Sequence, residues 1–251
     1  MSYTYLHYFT LKIVLCMFFW VSIPNLYAQT SYKVTYNISE IKLQGSIDNL
    51  DEKGKRITKQ VSDKAKDVHY TLISNKDNSY FELENTLRKE SDSPLDDMLS
   101  RMAKRFPSFN KKVYTNHNEN TIVFVRNLMN QDFLVERDCS NFNWIIKGES
   151  KSILGLVAKK AEGNYYDPVT EEELKVEAWF VPSIPLQSGP DIFNGLPGLI
   201  AEVNLKGAVV SVLSIEPNMI LKTEEMDTAK AMTQEEYESL LKSLTKKYME
   251  N

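Results

Sequence analysis

Few side chains in this sequence could do chemistry. Apart from His7 and Cys16, which lie in an apolar N-terminal segment, the chain carries His69, His117 and a single thiol, Cys139. A catalytic thiolate needs an activating base beside it, and neither histidine is close to Cys139 in sequence. Cys139 has no second cysteine to pair with in the mature chain, so it is expected to be buried. Two histidines and one cysteine are too few for a zinc site. Carboxylates are plentiful, with Glu82 and Glu84 on one strand face and Glu171-Glu172-Glu173 after Asp167-Pro168. A glycosidase needs two of them facing each other across a cleft, and a calcium loop needs spaced oxygen ligands. These clusters read instead as solvated charge. Ser-x-x-Lys occurs at Ser39–Lys42 and Ser243–Lys246, without its Ser-Asp-Asn and Lys-Thr-Gly companions. The nucleophile elbow, the zinc-protease helix, C-x-x-C, the P-loop and the dinucleotide fingerprint do not occur. The expectation is a protein that is not an enzyme, with no catalytic residue, no metal and no cofactor.

The N-terminal segment says where the chain goes. Lys12 is the only charged residue before the apolar run from Ile13 to Ile23, and Pro24-Asn25 ends that run. It is the right size for the core of a signal peptide and too short to span a bilayer. Residues 1–28 therefore read as a signal peptide cleaved after Ala28, leaving a periplasmic or secreted protein with no transmembrane span. Residues 29–251 are expected to form a single β-rich domain. The net charge of −4 becomes one unit more negative when Lys12 is removed, which argues against nucleic acid as a partner. Asn37-Ile38-Ser39 matches a glycosylation sequon but falls in a predicted strand.

Alternation dominates the rest. Tyr32, Val34, Tyr36 and Ile38 recur at every second residue, as do Val68, Tyr70 and Leu72. Tyr80–Leu83 follows a turn signal at Asn75–Asn78, and Val113-Tyr114 and Ile122–Val125 flank a polar turn at Asn116–Asn120. Phe133–Val135, Trp144–Ile146, Ile153–Ala158, Leu174–Val181, Leu199–Leu205 and Ala208–Ile215 read as further strands, the last two joined by a tight turn at Lys206-Gly207. About ten strands with short connections point to an antiparallel sheet. Two segments have helical spacing instead. Ser93 caps Pro94, Leu95, Met98, Leu99 and Met102. Thr233 and Glu236 form a capping box for a helix over 233–249, with an apolar stripe of Tyr237, Leu240, Leu241, Leu244 and Tyr248. The fold class is α+β, with two amphipathic helices packed on the sheet. Gln44–Lys66 is polar and is expected to be a loop.

Only nine glycines and nine prolines occur in the chain, and many of them fall between Val181 and Leu199. Prolines fix their own φ and push the preceding residue toward extended backbone, so this is a stiff connection rather than a flexible one. Ile184, Leu186, Ile192, Phe193 and Leu196 make it apolar, a strap over one end of the sheet. Leu196-Pro197-Gly198-Leu199 reads as a type II turn.

Trp179, Ile184-Pro185, Gly189-Pro190 and Gly195-Leu196-Pro197-Gly198-Leu199-Ile200, with Trp144 and Ile153-Leu154-Gly155 upstream, resemble the signature of the GLPGLI family of bacterial exported proteins. In that resemblance Gly189, Pro190, Gly195, Pro197, Gly198 and Ile200 are the structural motif. Leu156 stands where the family usually has tyrosine, and Ala158 where cysteine is common. The family is distantly similar to periplasmic lipoprotein carriers, which implies a curved antiparallel half-barrel around helices. The resemblance carries no catalytic residues. It suggests a non-enzymatic envelope protein that binds a lipid or an apolar peptide, with Trp144, Trp179, Phe180, Phe193, Leu196 and Leu199 as the lining. The alternatives are that these residues are ordinary core and the strap a plug, or that the protein serves as a structural partner in an envelope protein complex.

Overall fold

In the computed structural model, the described residues are 31–42, 50–84, 93–128, 131–167, 172–205, 207–218, 226 and 230–249. The expected signal peptide lies outside them. Among these residues, twelve strands form one sheet: β1 (Ser31–Ile41), β2 (His69–Ser74), β3 (Asn78–Leu83), β4 (Lys112–Asn116), β5 (Thr121–Leu128), β6 (Gln131–Asp138), β7 (Ile145–Ile153), β8 (Leu156–Asp167), β9 (Glu172–Val181), β10 (Leu199–Asn204), β11 (Ala208–Asn218) and β12 (Met232–Thr233). Three helices accompany them among the described residues: α1 (Glu52–Ala65), α2 (Pro94–Ala103) and α3 (Gln234–Met249).

The strand order is β12-β6-β5-β4-β3-β2-β1-β11-β10-β9-β8-β7. Two meanders thus run outward from a central antiparallel β1–β11 pair. One wing is β2–β6 and the other β7–β10. Every pairing is antiparallel except β12 with β6, so the sheet is mixed. The hairpin turns carry the chemistry expected of them. Asn75 Oδ1 accepts from the N–H groups of Asp77 and Asn78, both at 2.8 Å, and Asn116 Oδ1 does the same for Asn118 and Glu119.

Connectivity shows that the sheet is bent. β6 and β7 lie ten strand spacings apart, about 48 Å in a flat sheet. The chain from Asp138 to Ile145 can span only about 25 Å. The wings therefore curl toward each other, and contacts confirm it: the Arg137 guanidinium of β6 lies 5.9 Å from the Tyr165 ring of β8. The inward rows are Val34, Tyr36 and Ile38 of β1, Tyr70 and Leu72 of β2, Phe81 of β3, Phe124 of β5, Ala178 and Phe180 of β9, and Val203 of β10, all buried in one core.

Sequence expectations and structure differ at four points. Gln44–Lys66 was expected to be a loop, yet 52–65 is helical. Asp51 caps α1 by accepting from the Gly54 N–H. Ile57, Val61 and Ala65, four residues apart, turn a thin apolar line to the core; three anchors in a charged segment are easily overlooked. Ile153–Ala158, expected as one strand, is the tip of the β7–β8 hairpin. Leu154 (φ 51°) and Gly155 (φ 78°) make a turn with two left-handed residues, which suits the twist of a hairpin. Helix α1 and the two-residue β12 account for the additional helix and strand, whereas the hairpin tip only shifts where β7 ends and β8 begins. The anticipated caps are present: Ser93 and Asp96 form a reciprocal box at α2, and Thr233 and Glu236 form one at α3.

The other two differences concern the strap and Cys139. Leu196–Leu199 is not a type II turn. The Gly198 N–H donates to Leu196 C=O at 2.8 Å, a three-residue γ-turn centred on Pro197. Gly198 is still required, because it sits at φ 154° and a Cβ there would lie 2.4 Å from the Val181 carbonyl oxygen. Cys139 is only half-buried. Burial pushes its thiol pKa up, away from an activated thiolate.

Candidate functional site

The strap (182–198) lies inside the bend, between the wings, although it contains no strand or helix. Its backbone closes on itself and on β10. Gly195 N donates to Gln187 O, Leu199 N to Ile184 O and Ile200 N to Ser188 O. Gly189 allows the last approach, since a Cβ there would stand 2.7 Å from Ile200 Cβ. The Tyr36 hydroxyl, fully buried in β1, donates to Ile200 C=O at 2.8 Å, and burial pushes its pKa well up.

Two polar anchors fix the strap to the β2–β6 wing. In the first, Ser188 Oγ lies 2.8 Å from Ser74 Oγ and 2.8 Å from His117 Nε2. Burial lowers the His117 pKa, and the charge of Asp77 opposes this. A serine beside a histidine suggests a nucleophile, but Ser188 is buried and both its neighbours are engaged with the strap, so the geometry is that of an anchor. In the second, Asp191 is buried with φ 53° and accepts from Asn110 N (3.0 Å) and Nδ2 (2.8 Å). Burial raises its pKa, against the hydrogen bonds from Asn110. A row of rings completes the filling. Tyr70 stacks on Phe81 at 5.3 Å, and Phe109 links them to Phe193 of the strap. Phe193 meets Phe142 at 5.1 Å, and Phe142 stacks on Trp144.

The six residues proposed as a ligand lining do not come together as one surface. Phe180, Phe193, Leu196 and Leu199 are buried core; Leu196 is 1% and Leu199 0% exposed. Trp144 is half-buried over the strap and donates from Nε1 to Asn194 O at 2.9 Å. Trp179 points to the opposite face from its neighbour Phe180, under Lys151, whose Nζ is 4.4 Å from the ring. Of the motif residues, Gly189, Pro190, Gly198 and Ile200 are buried, whereas Gly195 and Pro197 are exposed.

Sequence reasoning missed two surfaces. The first is an open groove of about 840 Å³ over β8, β9 and β10, where Glu162, Asn164, Lys175, Glu177 and Asn204 contribute walls and Ile145 of β7 closes one end. The second is the β7–β8 hairpin itself. Strand β7 is a sheet edge with no partner on one side among the described residues, and Ile145 (61%) and Val157 (64%) are exposed along the hairpin. Alternation in the sequence could have exposed Ile145-Ile146 as a consecutive apolar pair that one sheet face cannot bury. Among the described residues there is no cluster of three metal-ligating side chains and no helix long and apolar enough to cross a membrane.

The geometry thus defines a β-rich protein built on a bent, open sheet with a buried strap. Residues 149–202, which run from β7 through the strap into β10, match a family model described as "Protein of unknown function (Porph_ging)". No curated protein matches the chain. Two solved structures resemble it, described as "Structure of PNGF-II in C2 space group" and "Structure of PNGF-II in P21 space group". Their TM-scores are 0.48 and 0.49 at 16% and 17% identity, over 84% of this chain and 32% of theirs. The chain spans about a third of the length of those structures.

Proposed function

We propose that this is an exported, non-catalytic envelope protein of the GLPGLI type, a carrier-like half-barrel whose interior is plugged and whose working surface is the open β7 edge. The observation that supports this reading is that β7 has no strand partner on one side among the described residues and exposes Ile145 and Ile146. An unpaired strand offers a row of N–H and C=O groups to an extended segment of another protein, and the exposed Ile145 and Ile146 offer that segment apolar contact. The filled interior weighs against the lipid-carrier alternative, because an apolar ligand there must displace Phe193 and Leu196.

A photo-reactive residue at Ile146 tests the idea in cells, with one at Leu213 as the control; Leu213 is exposed but sits on the central strand β11. The expected result is one constant protein adduct at position 146 and none at 213. Lipid retained through gentle purification, with no protein adduct, would instead support the carrier.

A further inference from the structure

Several charged side chains on this sheet are paired. Lys147 meets Glu162 at 2.9 Å, Lys151 meets Glu202 at 2.7 Å and Lys160 meets Glu177 at 2.9 Å. Lys111 meets Asp132 at 3.0 Å on the other wing. Two arginines break that pattern. Arg126 follows the inward residues Ile122 and Phe124 by the strand period, and Arg137 follows Phe133 and Val135 in the same way. Register agrees, since Arg137 stands opposite buried Ile122 and Arg126 opposite Phe133. Both are half-buried. Neither makes an ion pair among the described residues, and the nearby carboxylate of Asp191 feels Arg126 only from beyond ion-pair distance.

They flank one ring, Arg126 two residues after Phe124 on β5 and Arg137 opposite Ile122, two residues before it. Each guanidinium carbon lies 5.4 Å from the centre of the same Phe124 ring, so the two charges are no more than twice that distance apart. Arg137 also faces Tyr165 across the mouth between the wings. The Arg137 Nε–H is buried and has no hydrogen-bond acceptor. An orphaned donor on a guanidinium is an unusual thing to bury, because native interiors almost always satisfy such groups.

We propose that Arg137 forms a binding site for an oxyanion, a carboxylate or phosphate group, at the mouth between the two wings, with Arg126 adding positive charge from the far side of Phe124. The planar fork of Arg matches two oxygens at once, and the Nε–H of Arg137 supplies one of the bonds. Phe124 and Tyr165 hold the guanidinium planes by stacking. This site is independent of the β7 edge, and either assignment survives the loss of the other.

The test uses the full chain with ¹⁵N-labelled arginine and follows the Nε–Hε resonances by NMR. Inorganic phosphate is titrated in one arm and dihexanoyl phosphatidate in the other, against chloride at equal ionic strength. A saturable shift of the Arg137 Nε–Hε resonance is expected. Response to both probes identifies a site for the phosphate group itself; response to phosphatidate alone identifies a lipid headgroup. Arg137→Gln is expected to weaken binding at least tenfold, and Arg137→Lys to weaken it several-fold, because a point charge lacks the fork. Lys151→Gln on the outer face should leave affinity unchanged. Two outcomes would overturn the proposal: no saturable shift with either probe, or an Arg137→Gln protein that binds as the parent does. In either case the arginines only stack on Phe124.

Discussion

The strap and the β7–β8 hairpin leave the same wing and obey opposite rules. The hairpin is strand-paired apart from an irregularity between Ile146 and Ser150, yet Ile145, Ile146, Leu154 and Val157 stand in solvent. The strap has no regular structure, yet Ile184, Leu186, Ile192, Phe193 and Leu196 are all buried. Irregular backbone is normally kept at the surface because its polar groups need partners. The strap goes inside because its backbone is satisfied locally, by bonds to β10 and to itself, and by four prolines with no N–H to satisfy (Pro182, Pro185, Pro190 and Pro197). In this molecule burial follows the supply of partners rather than the presence of strands.

The sharpest way to break that contrast is at Gly198. A side chain there meets the Val181 carbonyl at 2.4 Å, and backbone cannot yield cheaply. Gly198→Val is expected to cost more than about 4 kcal/mol, read as loss of the folded fraction in urea titration. The equivalent change in the hairpin, Gly148→Val, meets nothing within 4 Å and is expected to be nearly silent. Phe193→Ala comes next, at about 3–5 kcal/mol, since it removes the ring that joins the two halves of the aromatic row. A drop below about 1 kcal/mol would mean that the strap does not hold the wings together.

A subtler test separates the two polar anchors by pH. The folded-state pKa of His117 is lowered, so its contribution is complete above the ordinary imidazole value near 6.5 and is lost as pH falls through the folded value. That of Asp191 is raised, so its sign is reversed: stability is gained as pH falls from above the folded value toward the ordinary carboxylate value near 3.8. In denaturation series across pH, His117→Phe should flatten the curve below 6.5. Asp191→Asn should remove the acid-side gain and leave the histidine step in place. Identical pH curves for parent and variants would show that neither group is as buried in solution as the structure places it.

Much of this contrast was legible in the sequence. Period-two alternation marks the inward rows, and the caps at Ser93 and Thr233 are local signals that tertiary packing did not override. The density of proline and glycine marks the strap as stiff and covered. Less legible was everything that depends on where distant segments meet. The serine–histidine anchor joins residues 71 positions apart in the chain, and no local pattern announces it. Helix α1 hides because three apolar residues suffice when β1 lies beneath them. Arg126 and Arg137 were readable in principle, since each continues an inward alternation into a position where a charge does not belong. Trp179 was treated as lining, although the same alternation places it opposite Phe180.

The smallest expected effect lies at the hairpin tip, where the contrast can be improved rather than broken. Leu154 holds φ 51°, a conformation in which a side chain with a Cβ is strained, and it is 54% exposed, so little packing offsets the strain. Followed by Gly155, it occupies the first central position of a two-residue hairpin turn, which asparagine favours. Leu154→Asn should therefore stabilise the protein by about 0.5–1 kcal/mol and remove one exposed apolar group. A gain in the denaturation midpoint with an unchanged adduct at Ile146 would show that leucine here pays for something other than stability or partner capture at the hairpin base. A gain accompanied by loss of the adduct would place the tip within the docking surface. A loss of stability would mean that the tip is held by contacts the exposed Leu154 side chain itself makes, and the hairpin would then resemble the strap more than its exposure implies.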